Sequence, residues 1–162
     1  MPATSLNHVS VSANDLEESA RFYAELFGME RIPTPNFGHP VVWLRVGDLQ
    51  IHLFKRGVDA PVYHHFALTV SDLDRVYRQA RDRAILDHEH NEAAIRELPD
   101  GSVQMYVRDP AGNLVEIDYP DVNELSADVR ADVGNLADMH PQSEENQRST
   151  LFLARKERAA AG

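Results

Sequence analysis

The chain contains an internal repeat, and this feature constrains its fold more than any other. When the sequence is laid over itself at a shift of 57 residues, two pairs of polar residues coincide: His8 with His65, and Asp15 with Asp72. Further along the two copies, where the shift is 64 residues, His52 coincides with Glu116. Self-similarity of this kind indicates that one structural unit is used twice, so four candidate metal ligands occupy two repeat-related positions.

The first copy is predicted to fold as one strand, one helix and three further strands. Apolar and small polar residues alternate over Leu6–Ala13, which favours a strand. Asn14 or Asp15 can cap a helix that runs through Phe27 and stops at Gly28. Three strands are predicted after this helix: around Glu30–Ile32, Val41–Val46 and Leu49–Phe54.

The second copy follows the same order. A strand is predicted over Tyr63–Val70, and a helix begins near Ser71 or Asp72 and ends near Arg83. Residues 85–98 are charged and only weakly periodic. Turn residues and alternation then indicate the last two strands: Val103–Val107 and Leu114–Tyr119.

These elements predict an α+β fold in which two βαβββ modules form a curved mixed sheet shaped as a cup. Module one covers about residues 5–56 and module two about residues 62–120, within one domain of residues 1–120. Residues 121–162 are predicted to be a C-terminal helical extension, because apolar residues recur there at helical spacing: Val122, Leu125, Val129, Val133 and Leu136. We expect this helix to pack on a folded surface, most readily across a homodimer contact.

Strand alternation predicts where the candidate ligands point, because side chains two residues apart share one face of a strand. His8, His52, His65 and Glu116 alternate with apolar residues that should pack under the helices. All four then face the concave side of the sheet. An ionised Glu116 in that position needs a partner, and either a metal cation or Arg108 could provide it.

Composition excludes several classes of function. The chain has 26 acidic and 16 basic residues, a net charge of -10, which argues against a nucleic acid or an anionic membrane surface as partner. It has no cysteine, so any metal must bind through nitrogen and oxygen. No apolar run approaches the ~20 residues that cross a bilayer, and no signal peptide is evident, so a cytoplasmic location is expected.

The candidate ligands define a recognisable donor set. Two imidazoles and one carboxylate on a rigid sheet suit Fe(II), Mn(II), Ni(II), Zn(II) or Co(II), with positions left for water and substrate. One such divalent ion would supply Lewis-acid or redox chemistry.

Three stretches carry a resemblance to a known family: Leu6–Val9, the helix start Ser71–Leu73, and Tyr106–Glu116. With the doubled βαβββ pattern, they resemble the vicinal oxygen chelate superfamily over about residues 5–120. That group contains glyoxalase I, bleomycin and fosfomycin resistance proteins, methylmalonyl-CoA epimerase and extradiol dioxygenases. The resemblance implies one divalent metal on His8, His65 and Glu116, with His52 where glyoxalases and epimerases place a fourth ligand.

Two features favour the dioxygenase branch. Tyr63–Phe66 is similar to the stretch around the second iron ligand of extradiol dioxygenases, and Tyr106 matches their tyrosine that contacts the catechol. The leading expectation is therefore an Fe(II) extradiol dioxygenase-like enzyme acting on a small molecule, with Tyr106 and His52 as catalytic residues. His52 could serve as the acid-base group only if it is not itself a metal ligand.

Two alternatives stay open. A glyoxalase-like or epimerase-like isomerase or lyase is favoured by His52 as a fourth ligand. A non-catalytic protein that binds a small molecule such as a drug is the third possibility. Drug-sequestering relatives typically lack the His and Glu donor set, so its retention here favours an enzyme.

Overall fold

The computed structural model describes residues 5–55, 57–88 and 93–153. Residue contacts group the chain into two compact units. The first comprises Met1–Phe66 and Arg108–Val115, and the second comprises Ala67–Val107 and Glu116–Gly162. Two sheets of four and five strands, with few helices, confirm the predicted α+β class. Within the described ranges, no helix is long and apolar enough to cross a bilayer.

The first predicted module has the expected order of elements. They are β1 (His8–Ser12), α1 (Leu16–Phe27), β2 (Glu30–Ile32), β3 (Val41–Val46) and β4 (Leu49–Phe54). The four strands form one sheet in the order β1-β4-β3-β2. β1 runs parallel to β4 and the other pairs are antiparallel. The three last strands and the helix end at the predicted residues.

Local chemistry explains the bounds of α1. The side chain of Asp15 accepts hydrogen bonds from the backbone N–H groups of Glu17 and Glu18, each at 2.9 Å. Gly28 ends the helix with φ of 70°, a left-handed conformation that glycine adopts without steric cost. Tyr23 and Leu26 are fully buried on the inner side of the helix. The predicted cap and stop are confirmed.

The second predicted module repeats this order. Its elements are β5 (His65–Thr69), α2 (Leu73–Asp82), β6 (Ile95–Glu97), β7 (Val103–Arg108) and β8 (Leu114–Tyr119). A short ninth strand, β9 (Gly134–Asn135), joins them in a sheet of order β5-β8-β7-β6-β9. β6 lies within the weakly periodic stretch 85–98. The predicted βαβββ pattern is therefore confirmed in both modules.

Burial in the sheets follows the predicted alternation on one face. Ile51 and Leu53 of β4 are in the core, as are Val115 and Ile117 of β8. The opposite face of β8 is also buried, because the residues from Leu114 to Asp118 are all at most 5% exposed. The polar side chains on that face are consequently held out of water.

The predicted C-terminal helical extension is confirmed as a series of short helices, but the expectation that one amphipathic helix carries the apolar stripe is wrong. The segment instead contains a 3-10 helix at Val122–Glu124, α3 (Ala127–Arg130), β9, α4 (Leu136–Met139) and a 3-10 helix at Asn146–Arg148. Capping side chains begin new helical segments here: Asp121 caps the first 3-10 helix and Asn135 caps α4. Gly134 pairs with Arg96 in the sheet, which also interrupts the helix.

The segment nevertheless packs on its own unit. Val122, Leu125 and Val129 are each at most 6% exposed. Polar contacts add to this packing, because Tyr77 of α2 donates a hydrogen bond to Asp132 at 2.9 Å and Arg78 pairs with Asp128 at 3.0 Å. Three of the five apolar residues that define the predicted stripe are therefore buried within one chain.

Candidate metal centre

Two candidate ligands lie side by side in the first unit. Parallel pairing of β1 and β4 sets Ser10 opposite His52, and this register brings the rings of His8 and His52 together. Their ring centroids are 4.2 Å apart with an angle of 14° between the planes. The indole of Trp43 stacks on His52 as well, at 4.2 Å and 6°. The prediction that His8 and His52 share a face of the sheet is confirmed.

Hydrogen bonds determine which nitrogen of His8 and His65 carries the proton. Nδ1 of His65 lies 2.9 Å from the backbone carbonyl of Tyr63, and Nδ1 of His8 lies 2.9 Å from the side-chain oxygen of Asn7. A carbonyl oxygen only accepts hydrogen bonds, so Nδ1 is the protonated nitrogen in both rings. The lone pair of each neutral imidazole is then on Nε2, which is the arrangement expected of a metal-binding histidine.

His52 has the other arrangement. Its Nε2 lies 2.8 Å from the side-chain oxygen of Gln50, so Nε2 is protonated and the lone pair is on Nδ1. The side chain is buried, and burial together with the neighbouring His8 lowers the pKa of His52 below its ordinary value. A neutral imidazole with an available lone pair can act as a ligand or as a proton acceptor.

The fourth candidate ligand, Glu116, lies in the second unit and is 4% exposed. Two side chains of β7 hold its carboxylate. Tyr106 donates its hydroxyl proton to Oε2 at 2.8 Å, and the amide of Gln104 donates to Oε1. Burial, followed by the hydrogen bond to Glu116 and its charge, raises the pKa of Tyr106 far above its ordinary value. Tyr106 is therefore a protonated donor to Glu116.

A second carboxyl group lies beside Glu116. Asp118 is two residues further along β8 on the same face, as the alternation predicts, and is 5% exposed. Burial, the charge of Glu116 and a hydrogen bond with it raise the pKa of Asp118 to about 7. Its Oδ1 atom is buried and has no hydrogen-bond partner among the described residues. The sequence indicated the shared face but not the raised pKa of Asp118.

Arg96 completes the surroundings of Glu116, and the sequence did not indicate it. Its Nε donates to the side-chain oxygen of Gln104 at 3.1 Å, and its guanidinium lies 5.6 Å from the ring centre of Tyr106. Arg96 lies directly opposite Gln104 in the antiparallel β6-β7 pair. This contact depends on strand register in a weakly periodic stretch, so composition and spacing gave no signal for it.

Arg108, the alternative partner of Glu116, donates to backbone carbonyls of the first unit. These are the carbonyls of Gly112, at 3.0 Å, and of Val62, at 2.9 Å. The guanidinium thereby connects the turn after β7 to the segment before β5.

A small cleft of about 260 Å³ borders His65 in the first unit. It is lined by residues of β1, by the start of β5 and by the turn before β8, including Ser10, Ser12, His64, His65 and Asn113. This volume is slightly below the roughly 300 to 1,000 Å³ of typical ligand-binding cavities, so the cleft has room only for a small molecule or for part of a larger one.

The four candidate ligands are distributed over the two units, with three histidines in the first and Glu116 in the second. In the described part of the chain, no three His, Asp or Glu side chains form a ready-made metal-binding group. What fits a divalent cation is the donor chemistry within each unit. The tautomers of His8 and His65 present Nε2, and Glu116 is a buried carboxylate that accepts hydrogen bonds from two neutral donors of β7.

Comparison with known families identifies the class of protein. Residues 5–117 match the model of the Glyoxalase/Bleomycin resistance protein/Dioxygenase superfamily. The match covers more than half of the chain, which therefore belongs to this family. The resemblance predicted from the sequence is confirmed.

Individual relatives point to several reactions within the family. The mitochondrial methylmalonyl-CoA epimerase of Mus musculus is 27% identical over 128 residues, which are 70% of this chain and 71% of the relative. The structure of a glyoxalase family protein from Bacillus anthracis matches with a TM-score of 0.59 and 26% identity, covering 74% of this chain and 97% of that one. The structure of lactoylglutathione lyase from Agrobacterium tumefaciens matches with a TM-score of 0.55 and 27% identity, covering 73% and 95%.

Proposed function

We propose that this protein is a divalent-metal-dependent isomerase or lyase acting at a carbon next to a carbonyl group of a small molecule. Relatives named as an epimerase and as a lactoylglutathione lyase, at 27% identity each, support this class of reaction. The proposal places the isomerase alternative ahead of the dioxygenase that the sequence favoured.

The observation that carries this choice is the hydrogen bond from Tyr106 to Glu116. A phenol has one proton to donate, and the proton of Tyr106 is directed to the carboxylate at 2.8 Å. The dioxygenase interpretation requires the same hydroxyl to contact a catechol oxygen. Holding Glu116 is a sufficient role for Tyr106, so the feature that favoured dioxygenase chemistry no longer distinguishes it.

We propose that His8, His65 and Glu116 hold the metal ion, with His52 as a fourth ligand or as the group that moves a proton. The ion would supply Lewis-acid polarisation of a bound carbonyl. His52 is suited to accept a proton because burial and the neighbouring His8 lower its pKa and its lone pair is on Nδ1. A positioned proton acceptor contributes typically ~100-fold to 10,000-fold to a rate.

Metal analysis combined with three assays tests the reaction class. The protein is purified without oxygen, its metal content is measured, and it is assayed for acyl-CoA epimerisation, hemithioacetal isomerisation and oxygen uptake with a catechol panel. We expect nickel, cobalt or zinc and turnover in an isomerase assay. Iron with catechol-dependent oxygen uptake alone would support the dioxygenase interpretation, which the Tyr63–Phe66 stretch favours. Ligand binding without metal or turnover would indicate a sequestering protein.

The ligand assignment has its own test. Replacing His8, His65 or Glu116 with Ala should reduce metal occupancy sharply, because each removes one of three protein donors. His140→Ala is the matched control, since His140 is an exposed histidine of the C-terminal segment. Near-stoichiometric metal in a variant lacking all three ligands would show that the ion binds elsewhere.

A homodimer and a cytoplasmic location remain parts of the proposal. Light scattering on the purified full chain checks the first, with a mass of two chains as the expected result. The expected substrate is a small molecule, in keeping with the 260 Å³ cleft beside His65.

A further inference from the structure

Within the second unit, Gln104 and Tyr106 donate hydrogen bonds to the carboxylate of Glu116, and Arg96 contacts both donors. We infer that Arg96, Gln104 and Tyr106 form a clamp that fixes the orientation of Glu116 for metal binding. The three act as positioning residues, and Tyr106 is one of them rather than a contact for substrate. The inference rests on the proposed role of Glu116 as a metal ligand.

The clamp follows from the geometry of two neighbouring strands. Gln104 and Tyr106 are two residues apart on β7, so both side chains point to the same face. One donates to each oxygen of Glu116: the amide of Gln104 to Oε1 and the hydroxyl of Tyr106 to Oε2. The plane of the carboxylate is therefore fixed at both ends.

The clamp places one neutral donor on each oxygen of Glu116. An ionised carboxylate has about four lone-pair positions, two on each oxygen. Both donors are neutral, so these hydrogen bonds do not cancel the negative charge that would attract a cation. A buried carboxylate oriented in this way has lost its rotational freedom before metal binding, which favours affinity.

Arg96 determines how the first of these donors is oriented. Its Nε donates to the amide oxygen of Gln104 at 3.1 Å, so the amide nitrogen must face Glu116. Its guanidinium also packs over the ring of Tyr106, with 5.6 Å between the guanidinium carbon and the ring centre. One side chain thus supports both donors.

The clamp predicts a specific result for Tyr106→Phe. Loss of the hydroxyl should weaken binding of the metal itself, whereas a substrate-contacting tyrosine would leave metal affinity unchanged. Substitution of groups that orient a metal ligand typically lowers metal affinity ~10-fold to 100-fold. The same range is expected for Gln104→Leu.

The experiment is a titration of the full metal-free chain with Co²⁺, followed by calorimetry and by the visible absorption of the bound ion. Tyr106→Phe and Gln104→Leu should both lose ~10-fold to 100-fold in affinity and change the Co²⁺ spectrum. Tyr77→Phe is the matched control, because it removes a phenol that donates to Asp132 at 2.9 Å in the same unit. It should bind Co²⁺ as the unmodified chain does.

Glu116→Ala separates failure of the clamp from failure of the metal site. Suppose that Glu116→Ala abolishes Co²⁺ binding while Tyr106→Phe and Gln104→Leu bind with unchanged affinity and spectrum. Glu116 is then a metal ligand, but Arg96, Gln104 and Tyr106 do not position it. If Glu116→Ala binds Co²⁺ normally, the proposed ligand set is wrong, and so is the role of the clamp in metal binding. Thermal unfolding establishes that each variant is folded, and Arg96→Lys adds a variant that keeps the positive charge but removes the planar donor.

Discussion

The two compact units hold their candidate ligands in different ways. In the first, each imidazole contacts a residue one or two positions away: His8 with Asn7, His52 with Gln50, and His65 with Tyr63. In the second, Tyr106 and Gln104 donate to Glu116 from ten and twelve residues away on another strand. His8 and His65 are exposed, whereas Glu116 is 4% exposed. Water can therefore replace a lost partner more readily at His8 and His65 than at Glu116.

The C-terminal segment packs on the second unit, and it therefore adds to the buried contacts that distinguish this unit from the first. A chain ending after Pro120 loses Val122, Leu125 and Val129, and each buried aliphatic side chain contributes roughly 1.5 to 3 kcal/mol. Typical domains are stable by only about 5 to 15 kcal/mol. We expect the truncated chain to lose most of its stability, measured as the midpoint of urea unfolding.

A chain ending after His140 is the control for this truncation, since it retains all three buried residues and β9. It should keep most of the urea stability of the full chain. An unchanged midpoint after truncation at Pro120 would show that the segment is an appendage. Its buried residues would then add nothing to the stability of the second unit.

This segment also shows where sequence patterns fail. Helical spacing correctly identified Val122, Leu125 and Val129 as buried, but it did not predict the interruptions. Those arise from the side-chain caps of Asp121 and Asn135 and from strand pairing at Gly134. Spacing reports which residues face inward, whereas capping and pairing determine the backbone path between them.

The candidate site shows the same difference between what residue spacing predicts and what strand pairing determines. Alternation along the strands correctly predicts that His8 shares a face with His52, and Glu116 with Asp118. It could not indicate that Arg96 lies opposite Gln104, because cross-strand partners depend on register and β6 has only three residues. The sequence therefore predicts the face of the sheet on which the imidazoles lie, but it does not predict which side chains surround the carboxylate of Glu116.

A buried network within the first unit tests whether burial, rather than the unit itself, sets the cost of losing a partner. Tyr23 is fully buried and donates to Asp109 at 2.8 Å. A hydrogen bond to a charged group contributes ~1.5 to 3 kcal/mol, so Tyr23→Phe should lower the free energy of unfolding by about that amount. Chemical denaturation measures it. Tyr119→Phe, which removes a donor to the exposed Glu124, should cost clearly less.

The ring stack of the first unit gives an intermediate effect. Trp43→Leu removes the parallel contact with His52, and aromatic pairs contribute ~0.5 to 1.5 kcal/mol beyond their buried area. Nε1 of Trp43 is buried without a hydrogen-bond partner among the described residues, so the substitution also removes an unsatisfied donor. We expect a net loss of about 1 kcal/mol in urea unfolding. A loss no greater than that of Phe37→Leu, at a site 48% exposed, would contradict a stabilising stack.

The smallest expected effect is that of Asn7→Ala, and it sharpens the comparison most directly. Asn7 and His8 are both exposed, and their contact of 2.9 Å fixes the tautomer of His8. Water can take the place of the amide oxygen at little cost, so Co²⁺ affinity should fall by less than about tenfold, below the range expected for Tyr106→Phe. The same titration measures both variants. An equal loss in the two would mean that exposure does not decide how strongly a hydrogen bond supports a ligand, because an exposed local contact would then matter as much as a buried one from a neighbouring strand.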